Sequence, residues 1–193
     1  MVTNALNSAS RRRLDPARRS RIIDAALDVI AEKGVAGTTH RRVAAQADVP
    51  LGSMTYHFHN MDELLREAFT RFAERGSALF GRALAEVGTP DEARAAVVDL
   101  ITAAADGQSR DLVLTHELYT LAAREPAFRQ ITRDWMARDR ATFEAHFDPA
   151  TARLLNALIE GLTLHQALDT QPGDPALAVD AVNRIVGLGS PPD

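Results

Sequence analysis

Between residues 38 and 61 the chain gathers most of the side chains able to do chemistry on its first third: Thr38, Thr39, Arg41 and Arg42, then "ADVPLGSMTYHFHNM" at 47–61. Hydroxyls, imidazoles, a phenol and guanidinium groups at this density can donate hydrogen bonds to phosphates or to base edges. A metal is the other use for "HFH" at 57–59, but residues two apart do not share a helix face and no carboxylate cluster stands near them. Cysteine is absent, which excludes disulfides, thiol chemistry and thiolate-bound zinc. No nucleophile motif, P-loop or Rossmann fingerprint occurs, and Gly34-x-x-Gly37 follows a helical pattern and is too short to cradle phosphate. Neither an enzyme nor a cofactor or metal is expected.

Charge points the same way as these side chains. Residues 1–61 carry nine Lys+Arg against five Asp+Glu, while residues 62–193 carry thirteen against twenty-one. A basic end, with Arg11, Arg12, Arg13, Arg18, Arg19 and Arg21 close together, therefore sits on an acidic body, as a polyanion-binding head would. The N-terminus lacks a signal-peptide apolar run, and no apolar stretch is long enough to span a membrane. A cytoplasmic protein is the expectation.

Helices must position these groups, because strand alternation is missing and helix punctuation is dense. Asp15-Pro16 reads as cap and first helical position, and Ile22, Ile23, Ala26, Leu27 and Ile30 form a stripe ending at Lys33-Gly34. Thr38 or Thr39 caps a second short helix with Val43, Ala44 and Ala47 inward. Pro50 interrupts it, and a third helix covers roughly 51–58. Asn60 with Glu63 opens a fourth, burying Leu64, Leu65, Ala68, Phe69 and Phe72. "TPDE" at 89–92, Pro126, Asp148-Pro149 and Asp174-Pro175 start later helices. The fold class is all-α with about nine helices, the first four short. Helices two and three have the dimensions of a helix-turn-helix, whose second helix enters the major groove. In that frame Gly52 and Ser53 are small where backbone approaches closely, Thr55, Tyr56 and His57 offer donors, and Met54 and Phe58 face inward.

The stretch "TTHRRVAAQADVPLGSMTYHFHNMDELL" resembles the DNA-binding signature of the tetracycline-repressor (TetR) family. The match runs over about residues 16–72 through Thr38-Thr39, Arg41, Val43-Ala44, Ala47, Val49, Gly52-Ser53, His57-Phe58 and Leu64. Three positions depart from the family pattern: Asp48 stands where glycine is frequent, Thr55 replaces the first of two aromatics, and Met61 replaces a lysine. The resemblance implies a flexible basic arm at 1–15, a helix-turn-helix domain at 16–62 and a ligand-binding and dimerisation domain at 63–193. It implies a homodimer on a palindromic double-stranded operator, repressing until a small-molecule effector binds.

Under that reading phosphates are met by the N-terminal arginines, Thr39, Tyr56 and His57, and bases by Arg41 or Arg42, Ser53, Met54 and Thr55. The last two helices supply the dimer interface through Leu155, Leu158, Leu162, Val182 and Ile185. An effector pocket falls at about 91–147, where His116, Tyr119, Trp135 and Phe143 interrupt apolar faces. The alternative keeps the fold but makes the chain a small-molecule-binding or protein-interaction dimer without sequence-specific DNA binding.

Overall fold

Nine α-helices and no strand make up the described residues, which are 17–105, 109–169 and 174–188 of the computed structural model. In chain order they are α1 (Arg18–Gly37), α2 (His40–Gln46), α3 (Gly52–His57), α4 (Met61–Leu84), α5 (Pro90–Ala105), α6 (Ser109–Arg124), α7 (Pro126–Glu144), α8 (Pro149–Leu168) and α9 (Pro175–Leu188). The basic arm, Arg11 to Arg13 and the Asp15-Pro16 cap lie outside the described residues. Two compact units, Met1–Ala68 and Phe69–Asp193, divide the chain inside α4.

Local chemistry sets the helix ends. Gly34 breaks the regular run of α1 with φ 69° and ψ 171°, a region open to glycine and closed to residues with a Cβ. Thr39 caps α2, its hydroxyl accepting from the Arg42 amide at 3.3 Å. The other end of α2 is a Schellman turn: the Val49 amide donates to the Ala44 carbonyl at 3.0 Å and the Asp48 amide to that of Ala45 at 3.2 Å. Such a turn needs a left-handed residue, and Asp48 supplies it with φ 50°. Asn60 Oδ1 accepts the Glu63 amide at 2.8 Å, while Glu63 reaches back to the His59 amide at 2.7 Å. Thr89 and Glu92 form a reciprocal capping box, and Asp148 and Asp174 cap helices that begin on proline.

Each unit has its own core. In the first, Ile22, Ile23, Ala26, Leu27 and Ile30 of α1 are buried together with Val43, Ala44 and Ala47, Met54, Phe58, Leu64 and Leu65. In the second, Leu84, Val97, Ile101, Phe143, Ala152, Leu155, Ile159, Ala178 and Val182 form one buried cluster, with Leu158, Leu162 and Ile185 packed against it. Two sequence expectations need correcting. The first and fourth helices are not short, running 20 and 24 residues. Leu155 and Val182 face the interior of their own unit and have no free surface to offer a partner. The stripe of α8 and α9 is wider than one interface needs, because one side of it is spent on the core. Leu154, Leu168, Leu177 and Val179 are the large apolar residues that these helices expose.

Candidate nucleic-acid interface and effector site

The α2–turn–α3 segment sorts its residues into core and surface. Met54 is 0% exposed and Ser53 nearly buried, so neither presents a side chain to a duplex, and Met54 as a base reader is corrected to a core anchor. Tyr56 is 81% exposed, its ring edge-on to His57 at 4.9 Å. Thr55 is exposed, with its hydroxyl donating to the Gly52 carbonyl at 3.3 Å. Gly52 is exposed, and a Cβ there would meet nothing within 4 Å, so the protein itself does not require glycine at this place.

The two arginines of α2 are not equivalent. Both are exposed, but Arg42 turns back and its guanidinium donates to the Gly37 carbonyl at the end of α1. Thr39 is exposed as well as capping. Beneath α3, Phe58 is buried under the Arg19 guanidinium, which stands 4.8 Å over the ring and pairs with both carboxylate oxygens of Glu67. Partial burial, then the nearby Arg18 and Arg19 charges, hold the His57 imidazole below its ordinary value, so it is neutral at physiological pH.

At the start of α4, Met61 is half-buried and carries no charge. The amides of His59 and Glu63 are already engaged by the Glu63 and Asn60 side chains. Hydrogen bonds from His59 hold the Glu63 carboxyl below its ordinary range, so a carboxylate stands two residues after Met61, the residue that replaces the family's lysine.

In the second unit the predicted effector residues separate. Phe143 is fully buried in the main core, its ring 5.6 Å from Phe80, and is corrected from pocket wall to packing residue. His116 is exposed, its Nδ1 2.8 Å from the Leu112 carbonyl oxygen, and lines an open groove with Leu112, Val113, Glu117 and Thr120 of α6 and Leu164 and Leu168 of α8. Tyr119, next to Thr120, donates to Glu160 at 2.9 Å, one turn of α8 before Leu164. Trp135 lies 6.4 Å from the Tyr119 ring and 5.4 Å from Phe72. Gly76 makes room for it, since a Cβ there would come within 3.1 Å of the indole.

Sequence reading missed Asp139. It is 3% exposed and accepts from the Ser77 hydroxyl at 2.6 Å. Burial pushes its carboxyl up to about 6, opposed by Ser77 and Arg138, reinforced by Glu160, and eased by Trp135. The Trp135 indole N–H is buried near this carboxylate without reaching hydrogen-bond geometry with any group. Glu160 is an exposed residue whose carboxylate accepts from the Tyr119 hydroxyl; partial desolvation raises its carboxyl pKa against that hydrogen bond. Burial and then Glu160 push the Tyr119 phenol well above its usual range, so it remains a donor. A signal for Asp139 did exist: Phe128, Thr132, Trp135, Asp139 and Phe143 follow one helical stripe of α7.

The model for bacterial regulatory proteins of the tetR family matches residues 22–68, and that for the tetracyclin repressor-like C-terminal domain matches 89–188. The HTH-type transcriptional regulator BetI of Burkholderia thailandensis is 31% identical over 182 residues, 89% of this chain and 92% of that protein. A candidate transcriptional regulator of Streptomyces coelicolor A3(2) has a solved structure similar to this one at TM-score 0.83. It is 56% identical and covers 89% of this chain and 99% of its own. The multidrug binding protein EbrR complexed with ethidium is similar at TM-score 0.73 and 37% identity, over 88% of this chain and 98% of that one. EbrR is also solved with proflavin and with malachite green.

Proposed function

Starting from a chain that belongs to the TetR family of DNA-binding, ligand-responsive transcriptional regulators, we propose that this member is a homodimeric repressor. It leaves a two-fold-symmetric operator when a multi-ring organic effector occupies its C-terminal unit. The observation that carries the DNA half is the exposure of Arg41, Thr55 and Tyr56 together on a helix-turn-helix whose inner side is fully packed. Gly52 is compatible with it, because it presents an exposed, uncrowded backbone at the start of α3. Arg41 reads a base edge and Tyr56 a phosphate; Arg42 acts as a brace between α1 and α2. His57, kept neutral, adds a hydrogen bond to the backbone rather than a charge.

Two copies are required to read two half-sites about one helical turn apart. Leu154, Leu168, Leu177 and Val179 provide apolar surface on α8 and α9 for that pairing. The effector half is supported by the α6–α8 groove and its aromatic neighbours, and by EbrR, a relative complexed with ethidium, proflavin and malachite green. Among the described residues no helix is long and apolar enough to cross a membrane, and no three His, Asp or Glu converge as a metal set.

The contrast between two variants tests the assignment. Tyr56→Ala should lose roughly three- to ten-fold in affinity on every duplex alike, as one hydrogen bond to phosphate predicts. Arg41→Ala should instead lose about 1–3 kcal/mol of discrimination at one position in each half-site. A uniform loss with Arg41→Ala, or a position-specific one with Tyr56→Ala, would reverse the roles.

A further inference from the structure

Leu51 is 50% exposed and Tyr56 81%, and these are the large hydrophobic side chains that the described residues of the first unit leave in solvent. Leu51 has helical dihedrals, φ −54° and ψ −36°, and its carbonyl accepts the Met54 amide at 3.0 Å, so the first turn of α3 already includes it. Thr55 lies four residues on, hence on the same face, and is exposed too. Its hydroxyl donates to the Gly52 carbonyl at 3.3 Å, which leaves the methyl as the free part of the side chain. Gly52 is exposed, with open space where a Cβ would stand. An exposed strip of α3 therefore consists of a leucine, a bare backbone and a threonine methyl.

No side chain of α3 is suited to paired hydrogen bonds with a base. That readout uses Arg, Lys, Asn or Gln, or a carboxylate on cytosine, and Gly52–His57 contains none of these types. Ser53, the remaining small hydroxyl, is nearly buried. The major groove offers one apolar mark of sequence, the C5-methyl group of thymine, and an apolar strip matches it. A single exposed leucine is ordinary on a protein surface. This one shares its face with the Thr55 methyl and is continuous with the proposed DNA-reading surface of Thr55 and Tyr56. We propose that Leu51 and Thr55 read thymine C5-methyl groups, so that each half-site carries thymine under α3 beside the base pair read by Arg41. The inference rests on the DNA-binding reading above and names what that surface recognises.

Uracil lacks only that methyl and pairs as thymine does. An operator duplex recovered by selection from a random library is remade with deoxyuridine for each thymidine in turn, and titrated with the full-length protein. The expected result is a loss of roughly four-fold per methyl at one or two positions of the half-site, about fifteen-fold when the same position is changed in both half-sites. Thymines elsewhere in the duplex should be indifferent. In Leu51→Ala the uracil penalty should vanish at the position that Leu51 covers. Thr55→Ser, which keeps the hydroxyl for the Gly52 carbonyl and drops the methyl, should abolish it at its own. Both side chains are exposed, so both variants should keep the wild-type melting temperature. The uracil series on the wild-type protein tests the contact whatever a variant does to folding. A tightly bound motif indifferent to uracil at every position, or a penalty undiminished in both variants, would overturn the thymine assignment and leave operator binding intact. Recovery of no motif would overturn both.

Discussion

Asp139 is a buried carboxylate that weakens the fold when it is ionised. Its carboxyl titrates near 6 in the folded protein against an ordinary 3.8, so the folded state holds its proton the more tightly. Folding is therefore favoured by this group at low pH. The advantage is lost as pH rises from about 4, where the unfolded chain ionises, to about 6, where the folded one does. Asp139→Asn keeps an acceptor for Ser77 and removes the titration. It should be about 2–3 kcal/mol more stable than wild type above pH 6, with the difference vanishing below pH 4. Urea denaturation at both extremes measures this, and a variant less stable at the higher pH would contradict it. Asp48 is a second strained residue, a carboxylate at φ 50°. Replacing it with glycine relieves the left-handed backbone, and Asp48→Gly should raise stability by roughly 1 kcal/mol in thermal unfolding. No gain in melting temperature would mean that the aspartate side chain compensates its own backbone. At this scale the sequence was only partly legible. Tyr56 and Thr55 could be placed on the surface by period alone. Arg41 and Arg42 could not be told apart, because what engages Arg42 is a carbonyl at the end of a different helix. Asp139 lay in plain view on the α7 stripe, hidden by the charged residues around it.

Elements were far more legible than residues. Capping chemistry is local, so Thr89 with Glu92, Asp148-Pro149 and Asp174-Pro175 specify helix starts without help from tertiary structure. The break at Gly34 and the turn before Pro50 are equally local. What period alone leaves open is which side of a wide stripe faces home. On α8, Leu155 and Ile159 pack into their own unit, whereas Leu154 is 49% exposed; on α9, Val182 is buried and Leu177 is 54% exposed. The dimer proposal therefore rests on the second set. Leu154→Glu combined with Leu177→Glu changes residues that are surface in the single chain and should cost little intrinsic stability. Light scattering should show the mass of one chain in place of two, with duplex affinity falling in parallel. A double variant that keeps the mass of a dimer would move the interface elsewhere.

At the scale of the whole molecule, division of labour was visible in composition before any helix was assigned: a basic first third and an acidic remainder. The helix-turn-helix was legible because its spacing is fixed by the groove it enters. The effector unit was legible only as a set of helices, because its chemistry arises where α4, α6, α7 and α8 bring Ser77, Tyr119, Trp135, Asp139 and Glu160 together from distant parts of the chain. α4 contributes to both cores, through Leu64 and Leu65 in the first unit and Phe72 in the second. We propose that these units make a dimeric, sequence-specific reader of DNA, and a selection from a random duplex library at two salt concentrations decides it. The expected result is an enriched two-fold-symmetric motif with half-sites about 10 base pairs apart, and affinity that falls steeply between the low and high salt. Recovery of no motif, or of an asymmetric one bound by a single chain, would contradict it.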